Sequence, residues 1–183
     1  MQKNQKSKQN NMGKRPRITI NLTTTDYLFE IIGLIGIACL IVLPIYFFND
    51  LPDQIPKHFN ALGQVDSYGN RGIIWLLPAI GLLLYIGLTF LNKFPFAFNY
   101  PTKVTNDNAE RLYTLGTRTV RLLKMMVVLS FAFLNFKIIE IALNKSTEIG
   151  KFYLPIFLAV LTILIGIMVY KMIRNKTRTN NNV

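Results

Sequence analysis

The chain has 183 residues and a formal net charge of +12, yet only 16% of its residues are charged and 51% are apolar. The charged fraction is well below the roughly one quarter usual in soluble domains, which argues against an ordinary water-soluble fold. A single cysteine excludes an internal disulfide.

Taken in chain order, residues 1–26 form a basic tail expected to be disordered, in which Lys3, Lys6, Lys8, Lys14, Arg15 and Arg17 follow one another with no acid between them. Four windows, 27–48, 73–92, 120–143 and 152–173, are then almost continuously apolar. Each runs for about twenty residues, the length a helix needs to cross a hydrocarbon core of roughly 30 Å. Backbone groups in lipid must be satisfied within the segment, so each window is expected to be a helix. The first window is too long for a signal peptide's apolar core. "GIAC", ending at Cys39, is a poor lipoprotein box, and Cys39 is expected to pack within the helix. Pro44, Pro78 and Pro155 lie near one end of three spans, where they either splay the bundle or are simply tolerated.

Orientation follows from Lys and Arg beside the span ends. The tail, the connector between spans two and three (Lys93, Lys103, Arg111, Arg118) and the C-terminal end (Lys171, Arg174, Lys176, Arg178) together carry fourteen such residues. The opposite face has Lys57, Arg71, Lys145 and Lys151. Both termini are therefore expected in the cytoplasm, with an outer loop at 49–72. The charge then implies anionic lipid headgroups rather than nucleic acid as the partner of the basic surfaces.

Charges inside the spans are each shallow. Glu30 and Lys124 lie near the cytoplasmic end, with Lys124 expected to snorkel to the interface. Lys137 and Glu140 are spaced to pair on one face near the outer end. Ser130 and Asn135 are the deepest polar groups, suited to bonds between helices.

The cytoplasmic connector, 93–119, begins with "KFPFAFNYPTK", whose aromatics at 94, 96, 98 and 100 suit an extended ribbon in an aromatic belt, or else a plug under the bundle. "DNAERLYTLGTRTVRLLK" reads as an amphipathic helix capped by Asp107 with Glu110. Its stripe of Ala109, Leu112, Tyr113, Gly116 and Val120 suits a helix on the inner leaflet that turns up into span three, or a partner-binding face. A second two-span hairpin, 120–173, and a short tail, 174–183, complete the chain.

The outer loop carries the candidate site. Pro52 and Pro56 force extended neighbours, and Gly63 and Gly69 are free to take positive φ, so the loop is expected to be ordered. His58, Asp53 and Asp66 lack the spacing of a zinc or calcium site. Ser67 with His58 and Asp66 lacks a nucleophile elbow, so neither metal, cofactor nor catalysis is expected. His58, Asn60, Asp66 and Tyr68 are the candidate ligand-binding residues.

"IPKHFNALGQVDSYGNR" resembles the signature of a bacterial membrane-protein family, domain of unknown function 1648. Ile55, Pro56, His58, Phe59, Gly63, Asp66, Gly69 and Arg71 occupy its positions, and the resemblance covers about 27–92; "FNYPTKVTNDNAERLY" resembles a short, stand-alone branch. The resemblance extends to the Sdp toxin immunity protein (SdpI), which has further spans that this chain lacks. It implies an all-α integral membrane protein of the bacterial inner membrane that recognises a secreted or envelope peptide, in toxin immunity or signal sensing. The alternative is an accessory subunit whose loop docks on another membrane protein. An enzyme is not expected.

Overall fold

The computed structural model describes residues 15–174. The four apolar windows are helices: α1 (Thr24–Phe47), α2 (Leu76–Leu91, entered through a 3-10 turn at Arg71–Trp75), α3 (Ala109–Ala142) and α4 (Tyr153–Arg174). All four are long and apolar enough to cross a membrane. Their outward faces carry Ile31, Leu34, Ile35, Leu83, Ile86, Ile156 and Ile163, all exposed, far more apolar surface than a protein facing water leaves uncovered. This is the architecture of a multi-pass membrane protein. The helices alternate in direction, which gives the bundle two ends. The connections 48–75 and 143–152 share the hairpin end; the start of α1, the connection 92–108 and the end of α4 share the terminal end.

The all-α expectation needs one addition. The connection between α1 and α2 contains a two-stranded antiparallel sheet, β1 (Gln54–Phe59) and β2 (Val65–Asn70). Its register pairs Gln54 with Asn70, Ile55 with Gly69 and Pro56 with Tyr68, then shifts around Lys57 and His58. Turn residues and prolines marked the loop as ordered, but the strand sequences, QIPKHF and VDSYGN, do not alternate apolar with polar residues.

α3 is the central helix, in contact with α1, α2, α4 and β1. Lipid gives helices no hydrophobic reason to associate, so close approach and polar bonds hold them together. A Cβ on Gly81 would stand 2.6 Å from Leu40 Cδ2, so α1 and α2 meet as closely as they do only because residue 81 has no side chain. Leu40, Tyr85, Val128 and Ala132 fill the middle of the bundle, and Leu51, Ile55, Ile74 and Ile139 seat the hairpin on its end.

Three expectations at the terminal end are corrected. The amphipathic segment is not a separate interfacial helix: α3 runs unbroken for 34 residues, about 51 Å at 1.5 Å per residue. Nothing between 109 and 142 breaks it, and its stripe of Ala109, Leu112 and Tyr113 is covered by protein (Ile20, Phe96, Tyr100, Val104 and Met172) rather than left to lipid. Asp107 does not cap it. Asn108 holds that position, accepting the Thr105 N–H at 2.8 Å and donating to the Lys103 carbonyl at 3.0 Å. The aromatic ribbon is not extended either, because Pro95–Ala97 form a 3-10 turn that folds Phe96 and Tyr100 under the bundle, as in the plug alternative. Burial raises the Tyr100 hydroxyl well above its ordinary range, and it donates to the Pro95 carbonyl at 2.9 Å.

Of the tail placed at 1–26, residues 1–14 lie outside the described residues, as do 175–183. Residues 15–23 are docked: Arg15 donates to the Phe96 carbonyl at 3.0 Å, and Tyr113 donates to the Pro16 carbonyl at 3.0 Å. Cys39, expected to pack, is exposed on the outer face of α1.

Pro155 stands in the first turn of α4, where a missing N–H costs nothing, and Pro78 stands where the 3-10 turn passes into α2. Pro44 is inside α1 and deprives the Leu40 carbonyl of its helical donor. Asn135 repairs this, donating from Nδ2 to Leu40 O at 3.3 Å while its own Oδ1 stays buried without a partner. Asn135→Ala is therefore expected to cost about 1–3 kcal/mol in detergent unfolding. In a Pro44→Ala background, where residue 44 regains its N–H, the cost should fall to a small fraction of that; equal costs in a double-mutant cycle would disprove the repair.

Candidate functional site

The hairpin is built from the turn outward. Asn60 N–H donates to Gln64 O and Gly63 N–H to Asn60 O, both at 2.9 Å. The Asn60 side chain accepts from Leu62 N–H at 2.9 Å and Gln64 N–H at 3.1 Å, so it is committed to shaping the turn. Gly63 has φ +78°, as its turn position anticipated. Gly69 does not take positive φ; it lies in β2 opposite Ile55, and a Cβ there would stand 3.1 Å from Lys57 Cδ.

Across the strands, His58 Nδ1 donates to Asp66 Oδ1 at 2.7 Å, with side chains 68% and 40% exposed. β2 alternates, so Asp66 and Tyr68 share the exposed face while Val65, Ser67 and Gly69 are half-buried. Of the four candidate residues, the structure thus brings His58, Asp66 and Tyr68 to the exposed side of the hairpin and leaves Asn60 in the turn. Asp53 stands apart beside Arg71, at 4.0 Å. Among the described residues, no three His, Cys, Asp or Glu side chains converge. Pro52 is exposed, whereas Pro56 is buried at the start of the sheet.

Beneath the hairpin lies a cavity of ≈ 290 Å³ that no sequence motif announced. Its walls are Phe59, Leu77, Leu134, Ile138, Tyr153 and Leu154, and Lys57, His58 and Asn60 reach its rim. Two contacts close it on the α3–α4 side. Ile149 N–H donates to Gly63 O at 2.9 Å, and Gln64 bridges Glu148. A Cβ on Gly63 would stand 2.9 Å from Gly150 O, so the two loops touch through bare backbone. Nearby, Lys137 pairs with Glu140 at 2.8 Å and donates to Ser146 Oγ at 3.0 Å, which turns that pair toward the 143–152 connection. Ser130 bonds Tyr153 and so fastens the start of α4.

A second polar assembly sits near the terminal end. Arg118 holds Asp26 through two bonds of 3.1 Å, from Nε and Nη2. Arg121 reaches Asp26 at 3.5 Å and Glu30 at 3.3 Å, and Lys124 meets Glu30 at 2.6 Å. Tyr85 donates to Glu30 Oε2 at 3.1 Å and Lys124 to Thr89 Oγ1 at 2.7 Å. Lys124 does not snorkel; its side chain is 0% exposed, because Glu30, Thr89 and the Tyr85 ring supply partners where it stands. Asp26 and Arg121 were not anticipated. A signal existed, however: acids four apart on α1 and bases three apart on α3 each form one helix face. The two helices run the same way, so Asp26 meets Arg118 and Glu30 meets Lys124 in matching order.

The fold defines a four-helix multi-pass class with an ordered hairpin over one end of the bundle. Within it, residues 34–82, from α1 through the hairpin into α2, match the family model described as Domain of unknown function (DUF1648). An "Uncharacterized protein" of Archaeoglobus fulgidus is 28% identical over 156 residues, covering 79% of this chain and 82% of that relative. The relative is archaeal, so the comparisons do not carry the bacterial restriction that the resemblance implied. No solved structure matches the chain.

Gly63→Val should strain the backbone and push β1–β2 away from Gly150, at a cost of about 1–3 kcal/mol. Hydrogen exchange is expected to rise in 60–64 and 146–150 together while α1 and α2 stay protected. A rise confined to 60–64 would show that the two loops are not coupled.

Proposed function

We propose that this protein is a membrane-embedded recognition protein, with both termini in the cytoplasm, that binds a secreted or envelope peptide at the hairpin end in an immunity or sensing role. The observation that carries this reading is the apolar cavity roofed by an ordered polar hairpin. Apolar walls with a few polar groups at the rim suit an apolar side chain entering while charged or backbone groups stay outside. His58, Asp66 and Tyr68 on the exposed face are the groups such a peptide would meet first. The protein acts by binding, without covalent chemistry or a cofactor.

Charge supports the orientation. The hairpin end, from Asp50 to Arg71 and from Lys137 to Lys151, carries five Lys or Arg against five acids, so the net charge of +12 belongs to the rest of the sequence. Bases held on the cytoplasmic side are the strongest orientation signal a membrane protein has, and there they would meet anionic lipid.

A second reading has one observation in its favour. α4 is the least buried span, with Met172 its single buried residue, so another membrane protein could lie along it and make this chain an accessory subunit.

Filling the cavity separates the readings. In cells exposed to candidate secreted peptides, Ile138→Trp should reduce peptide crosslinking at the hairpin, and any protection, by about tenfold or more. His58→Ala and Asp66→Ala should weaken binding less. Unchanged binding in Ile138→Trp, with the protein still in the membrane, would sink the cavity as the site and favour the accessory reading. For orientation, Tyr68→Cys in a Cys39→Ser background should react with an impermeant maleimide in intact cells; labelling only after lysis would reverse it.

A further inference from the structure

The terminal-end network does not balance. Arg118, Arg121 and Lys124 supply three positive charges, and Asp26 and Glu30 supply two negative ones. Asp26 and Lys124 are almost wholly buried, and an uncompensated charge in such surroundings is costly unless a counter-charge lies within reach. The accessible part of the network is its arginine edge, with side-chain exposures of 22% for Arg118, 10% for Arg121 and 0% for Lys124. Arg118 spends Nε and Nη2 on Asp26 and Thr23, and Arg121 spends Nη1 and Nε on Asp26 and Glu30. Among the described residues, Arg118 Nη1 and Arg121 Nη2 have no bond to protein. Depth gives the second constraint. On α3, Arg121 lies nineteen residues before Glu140. That is about 28 Å along the helix, against a hydrocarbon thickness of about 30 Å. With Glu140 near one boundary of the hydrocarbon, the two guanidiniums stand at the other, where lipid phosphates lie.

We infer that Arg118 and Arg121 hold a phosphate group, supplied in the membrane by an anionic lipid headgroup, which neutralises the excess charge of the network. A guanidinium presents paired donors that fit a phosphate's oxygens, as an ammonium does not. The inference rests on the helices crossing a bilayer, but it is independent of peptide recognition at the hairpin end. It differs from general attraction between a basic surface and lipid: the ligand answers a charge balance among five groups, of which Asp26, Arg121 and Lys124 are buried, so altering a residue that never touches lipid must change its binding.

The test uses the full chain in nanodiscs. Replacing part of an all-phosphatidylcholine bilayer with phosphatidylglycerol should raise the unfolding midpoint by ~5 °C. Lys124→Gln, which leaves two cations against two carboxylates, should bring that difference close to zero, and Glu30→Gln should widen it. Lys93→Gln and Lys103→Gln, on exposed connector residues, should leave it unchanged. Equal midpoints for the unaltered chain in both bilayers would overturn the site, as would a full difference surviving in Lys124→Gln. Should both network variants fail to fold, native mass spectrometry of the unaltered chain decides: retained phosphatidylglycerol supports the site and none retained overturns it. A midpoint rise with millimolar inorganic phosphate in lipid-free detergent would assign the site to a free anion. A chain monodisperse in water without detergent would sink the membrane reading itself.

Discussion

Between α1 and α3 the bundle is fastened by polar bonds at two depths, and the remaining elements take their places from that pair. Near the terminal end, Arg118, Arg121 and Lys124 clasp Asp26 and Glu30. Farther along, Asn135 bonds the carbonyl that Pro44 leaves open. Apolar burial cannot supply this fastening in lipid, where a leucine is as comfortable against an acyl chain as against another leucine. Bonds between polar groups can, since the alternative for each is a desolvated charge or an orphaned carbonyl. α2 joins through Tyr85 and Thr89, which complete the same network, and through Gly81, which admits Leu40.

The far end follows from this rigid pair. Leu51 and Ile55 sit on Ile74 and Ile139, so the hairpin rests on the ends of α2 and α3 rather than hanging in solvent. Its tip then reaches the 143–152 connection through Gly63 and Gly150, and the cavity is the space left under that bridge. α4 is held differently. Ser130 and Tyr153 secure its start, Arg111 binds the Lys171 and Met172 carbonyls at 3.0 and 3.2 Å near its end, and its middle is exposed. A helix tied at two points is the element that can shift with least loss of packing, and it forms one wall of the cavity. The two assemblies thus lie at opposite ends of one stiff helix, α3.

The fold was legible where length and apolarity speak alone. The spans 27–48, 73–92, 120–143 and 152–173 foreshadow the four helices, because crossing lipid demands long runs without charge. The site was legible in part. Pro56 and Gly63 marked an ordered loop, but the sheet was hidden, since its register depends on the bulge at Lys57 and on Ile55 finding Ile74. Residues 109–119 were misjudged for a related reason. Their apolar stripe is real, yet whether lipid or protein covers it depends on Phe96, Tyr100 and Met172, which come from other parts of the chain.

By itself, then, the sequence determined the number of spans and a polar ordered connection between the first two, because these follow from local composition. Tertiary structure alone decided that Lys124 stays buried, that Asn135 serves Pro44, and that Gly63 meets Gly150. Each of those is a pairing between residues at least thirty apart in the chain, and composition holds no record of which polar group will face which once the helices are side by side.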